Sequence, residues 1–192
     1  MLLKLLGLKY YPNYIRRIWW KIITSRQLKK AGVQLGDNVQ ILGRPIVSME
    51  PDSQILIGAN SVLCSDSRYT ALGVNHSVVL RTLKPEARIH IKGDTGISGA
   101  TICAAMEVNI GSHVLLGANV TIVDTDFHPL KSNDRRYNKN SNDVAASPVN
   151  ISDNVFVGAG AFILKGVNIG ANSVVGAGAV VAHDIPANSI AA

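Results

Sequence analysis

From Ile151 the chain repeats every six residues, as ISDNVF, VGAGAF, ILKGVN, IGANSV, VGAGAV and VAHDIP. The first positions, Ile151, Val157, Ile163, Ile169, Val175 and Val181, are all β-branched aliphatics. The fourth positions are Asn154, Gly160, Gly166, Asn172, Gly178 and Asp184, and each type adopts positive φ at low cost. The pattern predicts a short strand with one branched side chain inward, then a tight turn through a left-handed residue. A single coil of this kind cannot bury its inner face, but a stack can. Helix is excluded, because six is not a multiple of 3.6 and each interior glycine costs about 1 kcal/mol. A hairpin sheet is a poor match, since its strands recur at about 8–12 residues.

The same frame runs upstream. Ile110 and Leu116 open two hexads, Ile91 and Ile97 two more, and Ile57 another. Residues 64–88 read as irregular. A polar segment, 124–148, opens with DTDFHPL and interrupts the frame again. A long loop inside a strict repeat is usually functional.

Charge divides the chain near residue 31. Residues 1–30 hold eight basic side chains and no acid, whereas the rest holds 11 basic and 13 acidic residues. The formal surplus of +6 therefore lies entirely in the first 30 residues. No valine precedes Val33, and twenty occur from there on. Two units follow: a basic, aromatic helical segment over 1–30, and a repeat domain over 31–192 with its inserted loop. Apolar residues at 47% and charged residues at 17% exclude disorder and coiled coil as readings of the whole chain. Two cysteines, Cys64 and Cys103, make no disulfide framework and fit a reducing compartment; both read as buried hydrophobes. The early apolar run is broken by Lys4 and Lys9, far short of the ~20 residues a spanning helix needs. It also lacks the features of a secretory signal.

Residues 110–130 and 147–192, with repeat, loop position, His-Pro pair and closing DIPANS in order, resemble the hexapeptide-repeat acyltransferases, and the likeness covers roughly residues 89–192 well and 31–88 loosely. Within them the match is to the maltose/galactoside and capsular-polysaccharide O-acetyltransferase branch. The resemblance implies an all-β solenoid, a left-handed parallel β-helix of three hexads per coil, here with a short N-terminal α-helical segment. The chain leaves room for about seven such coils. It also implies a homotrimer with acetyl-CoA as co-substrate in the cleft between subunits, and no metal.

The family's loop histidine falls on His128. A sugar hydroxyl is a poor nucleophile at neutral pH, and a base with a pKa near 7 that takes its proton during attack supplies about 10²–10⁴-fold. By the same resemblance CoA lies against Ala159, Ala177, Ala182 and His183. The family often has a small hydroxyl residue at Ala159, Thr-Lys at Ala182-His183 and Trp at Phe156, and it continues past the position of Ala192 with Gly-Asn-Pro and a basic tail. Ser98, Asp126 and Arg135 are the expected acceptor-binding residues. Asp124 and Asp126 are candidates to orient His128, and Arg135, Arg136 and Lys139 to meet an anion. His76, His90 and His113 read as ordinary surface or structural histidines.

The resulting expectation is an O-acetyltransferase acting on a saccharide or lipid-linked glycan in surface-polysaccharide biosynthesis. The alternatives are a non-catalytic β-helix and an N-acetyltransferase on an amino sugar. A carbonic anhydrase-like metalloenzyme lacks a third histidine in pattern. The serine acetyltransferase motif Asp-His-Ala-Thr-Gly is absent. Nothing points to nucleic acid. In residues 1–30, Ile15, Ile18, Trp19, Ile22 and Ile23 recur at helical spacing, after Pro12. That face is expected to cap the β-helix, and its cations and aromatics to contact the inner face of a membrane from the cytoplasm.

Overall fold

The computed structural model describes residues 19–130, 135–137, 140 and 143–192. The chain winds as a three-faced parallel β-helix. Coil one is β1 (Gln34–Leu35), β2 (Gln40–Leu42) and β3 (Ile46–Ser48), and coil two is β4 (Gln54–Ile57), β5 (Val62–Cys64) and β6 (Val79–Thr82). Coil three is β7 (Arg88–Ile91), β8 (Gly96–Ser98) and β9 (Thr101–Ala104), and coil four is β10 (Glu107–Ile110), β11 (Leu115–Leu116) and β12 (Thr121–Val123). After the loop come β13 (Val149–Ile151), β14 (Phe156–Val157) and β15 (Phe162–Ile163), then β16 (Asn168–Ile169), β17 (Val174–Val175) and β18 (Val180–Val181). A seventh coil begins with the bridge Ile169–Ile185 and β19 (Ile190–Ala191). Each face is one parallel sheet: β1-β4-β7-β10-β13-β16, β2-β5-β8-β11-β14-β17-β19 and β3-β6-β9-β12-β15-β18.

Register follows from the inward column. On the first face Ile57, Ile91, Ile110, Ile151 and Ile169 stack as successive partners, each no more than 3% exposed. Burying each such side chain is worth about 1.5–3 kcal/mol. The other faces carry Leu63-Ile97-Leu116-Val157-Val175 and Leu80-Ile102-Ile122-Ile163-Val181.

The corners hold the left-handed residues. Asn154, Gly160, Gly166, Asn172 and Gly178 have φ between 57° and 80°. At the first-to-second corner the asparagines also stack by amide bonds, Asn154 Nδ2 to Asn172 Oδ1 and Asn172 Nδ2 to Asn188 Oδ1, each 3.0 Å. Asp184 departs from the expected pattern. Ile185, rather than a residue six after Val181, pairs with Ile169, so this corner is shortened and its left-handed turn is lost. The Asp184 carboxylate instead accepts the Asn168 N–H at 2.7 Å.

Residues 64–88 are more regular than their sequence suggests. They contain all of β6, displaced in frame by an excursion over 65–78 at the second-to-third corner. Asn75 N–H donates to Asn119 Oδ1 at 2.7 Å and ties that excursion to coil four.

A π-helical turn, Trp20–Thr24, leads into α1, Ser25–Lys30. Leu28 joins the core with Val33, Val39 and Ile41 and covers the first coil. The expected apolar face lies partly outside the described residues. Within them, Trp19 and Ile22 are 53% and 46% exposed, and Ile23 is half-buried. The inward stripe is Thr24 and Leu28, one turn apart, with Trp20 half-buried beside it.

At the third-to-first corner of coil four, Asp124 is fully buried. Its Oδ1 accepts Ala105 N–H at 2.7 Å, and its Oδ2 accepts Met106 and Glu107 N–H at 2.7 and 2.8 Å. Burial pushes this carboxyl above the ordinary aspartate range, while the three amides pull it back. The group closes the corner from which the loop departs.

Two measurements follow. Asp124→Asn, which turns one oxygen into a donor, should lower stability by about 1–3 kcal/mol for each amide left facing it; an unchanged urea midpoint would show that the carboxylate does not hold the corner. Gly158 packs so closely on the next coil that a methyl would strike the Ala177 amide, whereas nothing lies within 4 Å of the corresponding position at Gly160. Gly160→Ala should therefore cost only the left-handed penalty of about 1–2 kcal/mol. Gly158→Ala should cost more, because backbone rather than a flexible side chain must move, and calorimetry ranks the two.

Candidate active site

The loop leaves the third-to-first corner and returns to it, closed by a short antiparallel contact. Thr125 bridges Ala146, Asp126 N–H donates to Ala145 O at 3.1 Å, and Ser147 N–H donates to Asp124 O at 2.8 Å. Ser147 O in turn accepts the Gly166 N–H at 2.9 Å, which fastens the returning strand to the coil below.

His128 stands exposed just beyond this neck. Its N–H donates to Asp126 O at 2.7 Å, closing a three-residue turn around Phe127. Phe127 has φ of +60°, a left-handed conformation that costs a bulky residue about 1–2 kcal/mol. Such strain persists only where the surroundings impose it, and here three contacts do so. Lys165 Nζ pairs with Asp126 Oδ1 at 2.7 Å, with both side chains mostly covered. Arg135 donates from Nε to Pro129 O and from Nη2 to Leu130 O, each at 2.7 Å. Pro129 itself is buried.

The two candidate orienting acids are thus used differently. Asp124 spends both oxygens on backbone amides at the loop's root. Asp126 gives one oxygen to Lys165, and its Oδ2 is buried without a partner. The Arg135 guanidinium is engaged by the loop's own carbonyls. Arg136 lies over the Tyr137 ring at 5.5 Å, and Lys139 lies outside the described residues. Lys165 is the member of this cluster that sequence reasoning missed. Its signal was available, because it is the single charged residue between Asp153 and Asp184.

The expected CoA contacts divide between two corners. Ala159 and Ala177 sit one above the other at the second-to-third corner, where Gly178 N–H donates to Ala159 O at 2.9 Å. Exposed Leu115 and Phe156 flank them on the second face, and Phe162 and Val180 on the third. Ala182 and His183 are exposed at the third-to-first corner, below the His128 loop. Ser98, half-buried at the end of β8, belongs with Ala159 and Ala177, and its carbonyl accepts the Asn119 N–H at 2.9 Å. One chain therefore gathers His128, Asp126, Lys165, Arg135, Ala182 and His183 along one edge. Ser98, Ala159 and Ala177 lie along the next, on the other side of the third face.

Two hollows of about 530 and 520 Å³ lie elsewhere, beside α1 and on the first face, and neither reaches His128. Cys64 and Cys103 are buried thiols, and burial pushes both above the ordinary range, which leaves little thiolate for chemistry.

Residues 148–183 match the family described as bacterial transferase hexapeptide (six repeats). A galactoside O-acetyltransferase of Lactococcus lactis is 43% identical over 95 residues, 47% of this chain and 42% of that protein. A galactoside O-acetyltransferase of Escherichia coli is 40% identical over 95 residues, 48% of this chain and 43% of that protein. The chain thus matches less than half the length of these curated relatives. Among solved structures, a mutant of AntD, an N-acyltransferase from Bacillus cereus in complex with dTDP-4-amino-4,6-dideoxyglucose and coenzyme A, aligns with a TM-score of 0.64 at 18% identity. That alignment covers 86% of this chain and 82% of the other, and it shows a shared fold. Residues 148–183 thus carry the bacterial transferase hexapeptide repeat, and the parallel β-helix around them is a fold shared with the AntD N-acyltransferase.

Proposed function

We propose that the protein transfers an acetyl group from acetyl-CoA to a saccharide hydroxyl, with His128 as general base. The carrying observation is the presentation of His128: an exposed imidazole on a strained turn, anchored by Lys165 and Arg135, on the one loop that breaks the C-terminal repeat. The galactoside O-acetyltransferases among its relatives support hydroxyl over amine as the acceptor.

In this reading His128 takes the proton as the acceptor oxygen attacks the thioester carbonyl carbon. The tetrahedral adduct then collapses, the carbon–sulfur bond breaks, and the departing sulfur takes the proton back from His128. Nothing is left on the enzyme, so no covalent intermediate is needed when both substrates are held together. The split of the remaining candidates between two corners favours a homotrimer in which one subunit's His128 edge faces another's Ala159–Ala177 edge. Asp126 and Lys165 act by holding the turn. The acceptor class that fits is a sugar or lipid-linked glycan used in surface polysaccharide.

The test is acetyl transfer from acetyl-CoA to a panel of sugars and lipid-linked glycans. His128→Ala should cut turnover by at least ~10² while leaving folding and CoA affinity nearly unchanged; unaltered turnover removes the assignment. The wild-type rate should rise with pH to a plateau, because a general base works in its deprotonated form. Lys165→Met should lower kcat less than His128→Ala does, with Lys165→Arg restoring part of it. Sedimentation equilibrium should report three copies, and a stable monomer at micromolar concentration would remove the shared cleft.

A further inference from the structure

The helical segment that precedes coil one has a second face that the fold does not use. Its inward stripe is Trp20, Thr24 and Leu28. Trp19, Ile22, Arg26 and Lys29 follow at steps of three and four residues on the opposite side, all exposed, with Lys30 beside them. Trp19 is held rather than loose. Its ring meets the half-buried Trp20 edge to face, with centroids 5.5 Å apart and planes at 72°. The outward stripe is therefore apolar and aromatic at one end and cationic at the other, with no acid in it.

We infer that this face docks on an anionic lipid bilayer, independently of the transfer reaction. Charge complementarity names the partner. The first 30 residues carry eight cations and no acid, and the stretch ahead of the stripe contains Leu2, Leu3, Leu5, Leu6 and Leu8 with Tyr10, Tyr11 and Tyr14. Cations alone would suit any polyanion. Exposed Trp and Ile beside them suit an interface where an indole lies at headgroup level and an aliphatic enters the acyl boundary. An RNA or a polyanionic glycan offers no such apolar layer. No helix among the described residues is long and apolar enough to cross a membrane. The acids closest in sequence, Asp37, Glu50 and Asp52, stand at corners of the first two coils and not on this stripe.

The experiment is co-sedimentation of the full chain with phosphatidylcholine vesicles containing about one-third phosphatidylglycerol, against pure phosphatidylcholine, at low and high salt. Expected are binding to anionic vesicles only, a loss of affinity of at least ~10-fold at high salt, and a blue shift of tryptophan emission. The triple variant Arg26→Glu, Lys29→Glu, Lys30→Glu should lose at least ~10-fold, since each cation near the surface adds to binding. The separate variant Trp19→Ser, Ile22→Ser should weaken binding and abolish the blue shift. All five positions are exposed, and an unchanged circular dichroism spectrum with an unchanged melting temperature checks that the fold is kept. Failure to bind anionic vesicles, equal binding to neutral ones, or full binding by both variants overturns the inference. Retention on RNA or heparin without vesicle binding also overturns it, in favour of a polyanion.

Discussion

Everything in this molecule depends on one contact, a branched aliphatic resting on its counterpart one coil away. The strands of coils five and six are two or three residues long and could not persist alone, because two or three backbone hydrogen bonds do not offset the entropy of ordering them. They persist because Ile151, Val157 and Ile163 each sit between a partner above and a partner below. The side chain sets the pitch, and the hydrogen bonds and amide stacks fall into place around it. The requirement is strict along the axis and lax around it. A methyl between coils at Gly158 meets backbone, while whole segments leave and rejoin at the corners.

That asymmetry explains where a long segment can leave the coil. The inward places on the faces are fixed by register, whereas the corners can release a whole segment. The loop at the third-to-first corner leaves after Val123 and re-enters at Val149, and the coils before and after it still pair in register, Ile110 of β10 with Ile151 of β13. Asp124 makes this possible by satisfying the three amides that the departing chain leaves behind. Within the loop the stability spent on Phe127 is recovered from Lys165 and Arg135, so that His128 is presented on a fixed turn rather than a free tether.

The axial contact was legible in the sequence because it repeats. Six branched aliphatics at period six, with Asn or Gly three residues on, leave little choice of fold, and the corners at Asn154, Gly160, Gly166, Asn172 and Gly178 were readable for the same reason. Non-periodic features were not. The excursion over 65–78 hid β6 by shifting its frame. The short corner at Asp184 reads as a sixth hexad, although Ile185 has already taken the inward place. In the helical segment, spacing suggested a buried face through Trp19 and Ile22, but a five-residue π turn rotates the helix so that Thr24 and Leu28 face the core instead. The resemblance points to His128 through its Asp-Phe-His-Pro setting. Its anchors were not legible, because Lys165 is far away in sequence and a salt bridge to Asp126 leaves no local pattern.

The loop's re-entry in register has an evolutionary consequence. In most folds a segment of two dozen residues cannot be exchanged without renegotiating the core around it. Here the axial stack does not sense what lies beyond the neck at Asp124 and Ser147, so a lineage can replace the rest of the loop, lengthen it or move a histidine within it while the scaffold stays neutral to the change. Loop identity and thermal robustness then become separately heritable traits, one written at a corner and the other along the axis.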